Sequence, residues 1–292
     1  MTKSFRVSPP SATVQKNLGL LKELPGHWVG HGFNLISRPD KQNGQPFFLE
    51  LTSTKETLDF VRIGGNIPNR GSAQGDIELH GIHYLQQVSD RADDSGIHLE
   101  PGLWVRVPPT TDPSVGSDTY VRQATIPHGD SLLAQSTLAA TVSGGPKIDP
   151  VDSTPFTGAV PALNSPPATP VTNAAYLKPF TTSPLPALLP PGLDAAATIK
   201  NPALVLLEEI KGQAIESTVV IAISTAPAGG IVNIPFVVKN ANAAQMDAIF
   251  WVETVKHPVY GEFLQLQYVQ RVILDFIGIH WPHISVATLV KM

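Results

Sequence analysis

Thirteen of the 28 prolines in this chain fall between Pro146 and Pro202. Proline has no backbone N–H and a locked φ, which bars it from central strands and helix interiors. Residues 143–202 are therefore expected to be loop or extended arm. They divide the chain into an N-terminal arm (1–23), a first structured part (24–142) and a second (203–292). The arm carries Phe156, Leu163, Tyr176, Leu177, Phe180, Leu185, Leu188 and Leu189. That is too apolar for a solvated linker. It predicts an ordered arm wrapped on the rest of the chain or on a second copy, which would give a homodimer.

The flanking parts read as strands. Short runs rich in β-branched and aromatic residues alternate apolar with polar and are separated by turn residues. They cover 28–36, 47–53, 57–63, 77–88, 97–107, 120–126 and 131–140, then 215–224, 231–239, 248–255, 263–276 and 284–290. In the second run Phe47, Leu49 and Leu51 share one face. Ala203–Gln213 follows Asn201-Pro202 and is either a helix behind a cap or a buried strand. One or two short helices at most are expected. The fold class that follows is all-β: a closed antiparallel calycin-like β-barrel of about ten strands, interrupted by the proline-rich insertion and completed by 203–292. Closure removes exposed sheet edges. A barrel of this size has room for one small apolar ligand.

Composition narrows the partners. There is no cysteine, so thiol chemistry, iron–sulfur clusters and disulfides are excluded. Twenty basic residues against 24 acidic ones, with no Lys/Arg block, argue against nucleic acid. No run of eighteen apolar residues exists, so no membrane span is expected. The polar start MTKSFRVSPPSATVQKN has no apolar signal region, and a cytoplasmic location is the expectation.

Four motifs stand out. Gly26-His27-Trp28-Val29-Gly30-His31-Gly32 opens the first strand. His98-Leu99-Glu100-Pro101-Gly102-Leu103-Trp104-Val105-Arg106 lies in mid-strand. Ser131-Leu132-Leu133-Ala134-Gln135 follows a turn at His128-Gly129-Asp130. Leu266-Gln267-Tyr268-Val269 and the terminal Pro282-His283-Ile284-Ser285-Val286-Ala287-Thr288-Leu289 close the set. Together, over 24–140 and 248–292, they resemble the nitrobindins, haem-binding barrels of the calycin type. The resemblance implies haem b as cofactor and His283 as the axial ligand and metal-binding residue. It also implies chemistry with small oxidants such as peroxynitrite, nitric oxide or peroxide.

Each residue also has a plainer role. His283 at a strand start is otherwise a hydrogen-bonded or solvated histidine, with His280 the alternative ligand. Trp28, Trp104 and Leu289 are candidate cofactor contacts or simply core, since aromatic rings dominate core packing. His98 and Glu100 share a strand face with Gly102 and Trp104 by period-two alternation. They are a candidate catalytic acid–base pair or a self-satisfied buried network. His80 and His83 point to opposite faces, so they cannot both enter a barrel. Two metal-free readings stand beside haem. One is a carrier of a fatty acid or similar molecule, with Arg106 or Arg122 as anchor; the other is a cofactor-free isomerase or cyclase using His98 and Glu100.

Overall fold

The computed structural model describes residues 11–227 and 229–292. Ten strands close an antiparallel barrel. They are β1 (Gly26–Asp40), β2 (Gln45–Arg62), β3 (Ile77–Asp90), β4 (Gly96–Val107), β5 (Thr119–Ile126) and β6 (Asp130–Ser143), followed by β7 (Ala214–Ser224), β8 (Asn242–His257), β9 (Gly261–Phe276) and β10 (Ile279–Lys291). Each strand pairs with its sequence neighbour, β6 with β7 from Ser143↔Ser217 to Gln135↔Ser224. β10 closes on β1 from Trp28↔Lys291 to Leu35↔Ile284. The architecture is thus an up-and-down meander, and the insertion joins two adjacent strands without altering their order.

The glycines of the first motif have a packing reason. A Cβ on Gly30 would lie 2.1 Å from the Thr288 carbonyl oxygen, and one on Gly32 would lie 2.0 Å from that of Val286. The backbones of β1 and β10 approach too closely at the closing seam for a side chain on that face.

One end of the barrel is plugged. α1 (Ser11–Asn17) and a 3₁₀ turn (Gly19–Glu23) bring Leu18, Leu21 and Leu24 under Trp28. The Trp28 indole N–H donates to the Leu24 carbonyl at 2.7 Å. Above this plug the lumen is packed with Phe60, Ile82, Trp104, Phe250, Leu266 and Leu289, among others. The void between Leu24, Phe60, Trp104, Ile221, Phe250 and Val252 measures about 10 Å³, room for no more than one water.

A second core lies outside the barrel. The insertion lays Ile148, Val151, Leu163, Phe180, Ile199 and Leu206 against the outer wall of β1, β2, β8, β9 and β10. Trp281 is its aromatic centre, 4.4 Å from the Phe47 ring and 5.1 Å from Phe276. Phe156 and His280 exchange both backbone hydrogen bonds, at 3.0 and 2.8 Å. The buried Arg271 guanidinium donates to the Pro161 carbonyl at 2.7 Å and to Asp247 at 2.8 Å.

Several sequence expectations need correction. Residues 47–53 and 57–63 form one strand, β2. Thr54 and Glu56 looked like a turn because they are polar, yet both are buried on the inner face. Residues 231–239 are not a strand: a short strand Gly230–Asn233 gives way to α5 (Pro235–Asn240), with Pro235 in the first helical turn. The insertion is not free of helix. It holds α2 (Ala174–Thr182) and α3 (Ala195–Lys200), started by the side chains of Asn173 and Asp194 on backbone N–H groups. Pro179 lies within α2 despite its missing donor. Of the two readings for 203–213, the helix holds, as α4 (Leu204–Glu209). Five short α-helices are present among the described residues.

Candidate functional site

Period-two alternation sets which side chains enter the lumen. In its upper half β2 contributes Thr54 and Glu56, β3 Tyr84 and Gln86, β4 His98 and Glu100, β5 Arg122 and β9 Tyr268 and Gln270. They meet in a polar floor across the barrel. Glu100 is fully buried and accepts from the Tyr84 hydroxyl and the Arg122 guanidinium through Oε1. His98 Nε2 donates to its Oε2 at 3.2 Å. Arg122 also donates to the Tyr84 hydroxyl (2.8 Å) and to Gln270 Oε1 (2.6 Å). Its guanidinium lies over the Phe250 ring, 5.3 Å from the centroid. Beside it, Glu56 accepts from the Tyr268 hydroxyl (2.7 Å), Gln86 (3.2 Å) and Thr54 (3.1 Å).

The two carboxyls are pushed in opposite directions. Burial raises Glu56, and its hydrogen bonds from Tyr268, Gln86 and Thr54 only partly offset this. Burial would raise Glu100 too, but Arg122, His98 and Tyr84 overcome it and hold the group down at about 2. Glu100 is thus a fixed anion matched by Arg122, too weak a base to accept a proton from a substrate. In this pair Glu100 orients the His98 ring.

Above the floor is the open end. His283 is the key residue there. Its Nε2 donates to Asn34 Oδ1 at 2.7 Å, and the Ser285 hydroxyl donates to the same oxygen at 2.8 Å. An amide oxygen only accepts, so the ring proton is on Nε2. Nδ1 has no hydrogen-bond partner among the described residues, and it is not sealed from solvent. Burial, followed by the nearby His98 and His128, lowers His283 to about 3, so the imidazole is neutral. His128, on the β5–β6 turn, has its ring 6.1 Å from that of His98. Asp130 at the same rim is raised by burial.

The predicted site residues therefore separate. His283, His98 and Glu100 belong to the open half. Trp28, Trp104 and Leu289 belong to the packed half, where all three are buried core. His280 is engaged by Asp275 and by the Phe156 ring of the insertion. Arg106 pairs with Asp118 near the plug, at 2.7 Å. Sequence reasoning passed over Glu56, Gln86 and Asn34, and gave Tyr268 no role beyond its motif. Glu56 was detectable, because it shares the face of Leu58 and Phe60 at two-residue spacing.

No group of three or more His, Cys, Asp or Glu side chains fit to hold a metal ion occurs among the described residues. No helix among them is long and apolar enough to cross a membrane. The fold and site define a closed ten-stranded up-and-down barrel that is packed at one end and polar at the other. No family model matches the chain, and no curated protein matches its sequence. Among solved structures it is similar to Rv2717c from M. tuberculosis, at 13% identity and a TM-score of 0.43, over 94% of this chain and 98% of that one.

Proposed function

We propose that the open end of the barrel binds haem, whose iron His283 would hold through Nδ1. The observation that carries this reading is a neutral, half-buried imidazole with one nitrogen fixed by Asn34 and the other unpaired. Metal-ligating histidines are typically held in this way, their second ring N–H given to a carbonyl or carboxylate that sets the tautomer. The donor set also fits haem in number, since a porphyrin brings four of the iron's ligands and needs one imidazole from the protein. The void of about 10 Å³ in the packed half admits neither a porphyrin nor an acyl chain. On this reading the ligand would lie above the polar floor, beside His283.

Bound haem supplies an iron centre for chemistry with small oxidants such as peroxynitrite, nitric oxide or peroxide. The chain's own contributions are separate. Asn34 and Ser285 hold the His283 ring. Arg122 matches the charge of Glu100, which fixes His98, whose Nδ1 is left to take or give a proton at a reactant in the mouth.

Titrating the purified protein with hemin tests this. A Soret band saturating at one haem per chain is expected, and His283→Ala should weaken binding at least about a hundredfold. An unchanged band in that variant would overturn the assignment. His98→Ala should keep the band but slow any oxidant reaction. A second reading, metal-free acid–base chemistry, is favoured by the His98–Glu100 pair, which is complete without a metal. It predicts no Soret band and an activity that His98→Ala abolishes.

A further inference from the structure

After the insertion the chain returns to the barrel through α4, which lies on the outer wall and is tied down there by a cluster of glutamine side chains around Glu253. Glu253 on β8 is wholly buried and pairs across the strand with Gln265 of β9. Gln265 Nε2 donates to Glu253 Oε2 at 2.6 Å and to Gln213 Oε1 at 3.1 Å. Gln213 Nε2 returns a bond to Gln265 Oε1 (3.2 Å) and caps the end of α4 at the Glu209 carbonyl (3.1 Å). One step along β9, the equally buried Gln267 donates to the Leu206 carbonyl of α4 (3.1 Å) and to the Thr288 hydroxyl (2.8 Å).

Two oxygens in this cluster have no partner among the described residues: Glu253 Oε1 and Gln267 Oε1. Both are acceptors when Glu253 is charged, and leaving two such atoms buried is costly. Gln267 is the diagonal neighbour of Glu253 on the same face of adjacent strands, a separation long side chains can bridge. A single hydrogen on Glu253 Oε1 would satisfy both atoms. We propose that Glu253 is a proton latch: as a neutral acid it donates to Gln267 Oε1 and fastens α4, and with it the end of the insertion, to the barrel wall.

The electrostatics agree. Burial pushes Glu253 up to about 7, against the bond from Gln265. The charged groups brought by the surrounding elements are occupied elsewhere. Lys211 bonds Glu208 at 2.9 Å, His31 of β1 lies 3.5 Å from Glu209, and Lys256 pairs with Glu216 at 2.5 Å. β7 faces Glu253 with Thr218, whose hydroxyl is given to the Gly144 carbonyl, and β10 offers Thr288. A group raised in the closed state stabilises that state fully below its open-state value, near 4.5, and the advantage is lost as pH rises to about 7.

Hydrogen exchange of the 201–213 segment in the full-length protein, corrected for intrinsic rate, measures the opening. The opening constant is expected to rise about tenfold per pH unit between pH 5 and 7, then level off. Glu253→Gln, whose amide can still donate to Gln267, should stay closed with no slope. A flat profile in the wild-type protein, or an unchanged slope in Glu253→Gln, overturns the latch. If that variant does not fold, the wild-type profile alone decides.

Discussion

Replacing Arg122 with leucine is expected to destabilise the protein by about 3–5 kcal/mol, because it leaves the Glu100 carboxylate buried without its counter-charge. Denaturant midpoints would show the loss, and the pH dependence would identify its cause. In the wild-type protein Glu100 is held at about 2 against an ordinary value of 4.5. Its contribution is present above pH 4.5 and disappears as pH falls toward 2. Without Arg122, burial dominates and the sign reverses, so the variant gains stability on mild acidification where the wild-type protein loses it. The double change Arg122→Leu with Glu100→Gln should recover part of the loss. A single variant costing less than about 1 kcal/mol would mean that water reaches this layer and shields the charge.

Trp28→Ala is expected to cost about 3–5 kcal/mol, the range for truncating a fully buried tryptophan. The indole is wholly buried over the plug, its N–H is bonded to Leu24, and the Lys291 ammonium lies 5.5 Å from the ring centroid. The loss therefore includes contact with both the N-terminal segment and the last strand. Trp28→Phe separates the parts, keeping most of the packing and losing about 1 kcal/mol for the hydrogen bond. Equilibrium unfolding of the two variants checks this. Near-equal midpoints for Trp28→Ala and the wild-type protein would show that the plug contributes little.

What could be read from the sequence follows from period. β-Strands with one face in a packed lumen alternate plainly, and for β3, β4, β5, β7 and β9 the expected run fell within two residues of both ends. One failure comes from polar residues on the inner face. Thr54 and Glu56 broke the apolar rhythm of β2 and suggested a turn, although they are the start of the floor. α5 was misread because Val237 and Val238 have strand-like side chains, while Pro235 at its start decided the local backbone. His98 and Glu100 could be paired from spacing alone. Nothing in spacing, however, revealed that Arg122, on the next strand, takes the carboxylate's basicity away. Asn34 could not be linked to His283 either, because the two lie 249 residues apart and meet only when the barrel closes.

That closure has a consequence for how the molecule is made. Every strand from β2 to β9 can hydrogen-bond to the one synthesised just before it, but the free side of β1 waits for Ile279–Lys291. Until those residues leave the ribosome the nascent chain is an open sheet with a bare hydrogen-bonding rim and an uncovered interior. Productive folding is thus gated by the arrival of β10, and translation must outpace any neighbour able to add its own strand to that rim.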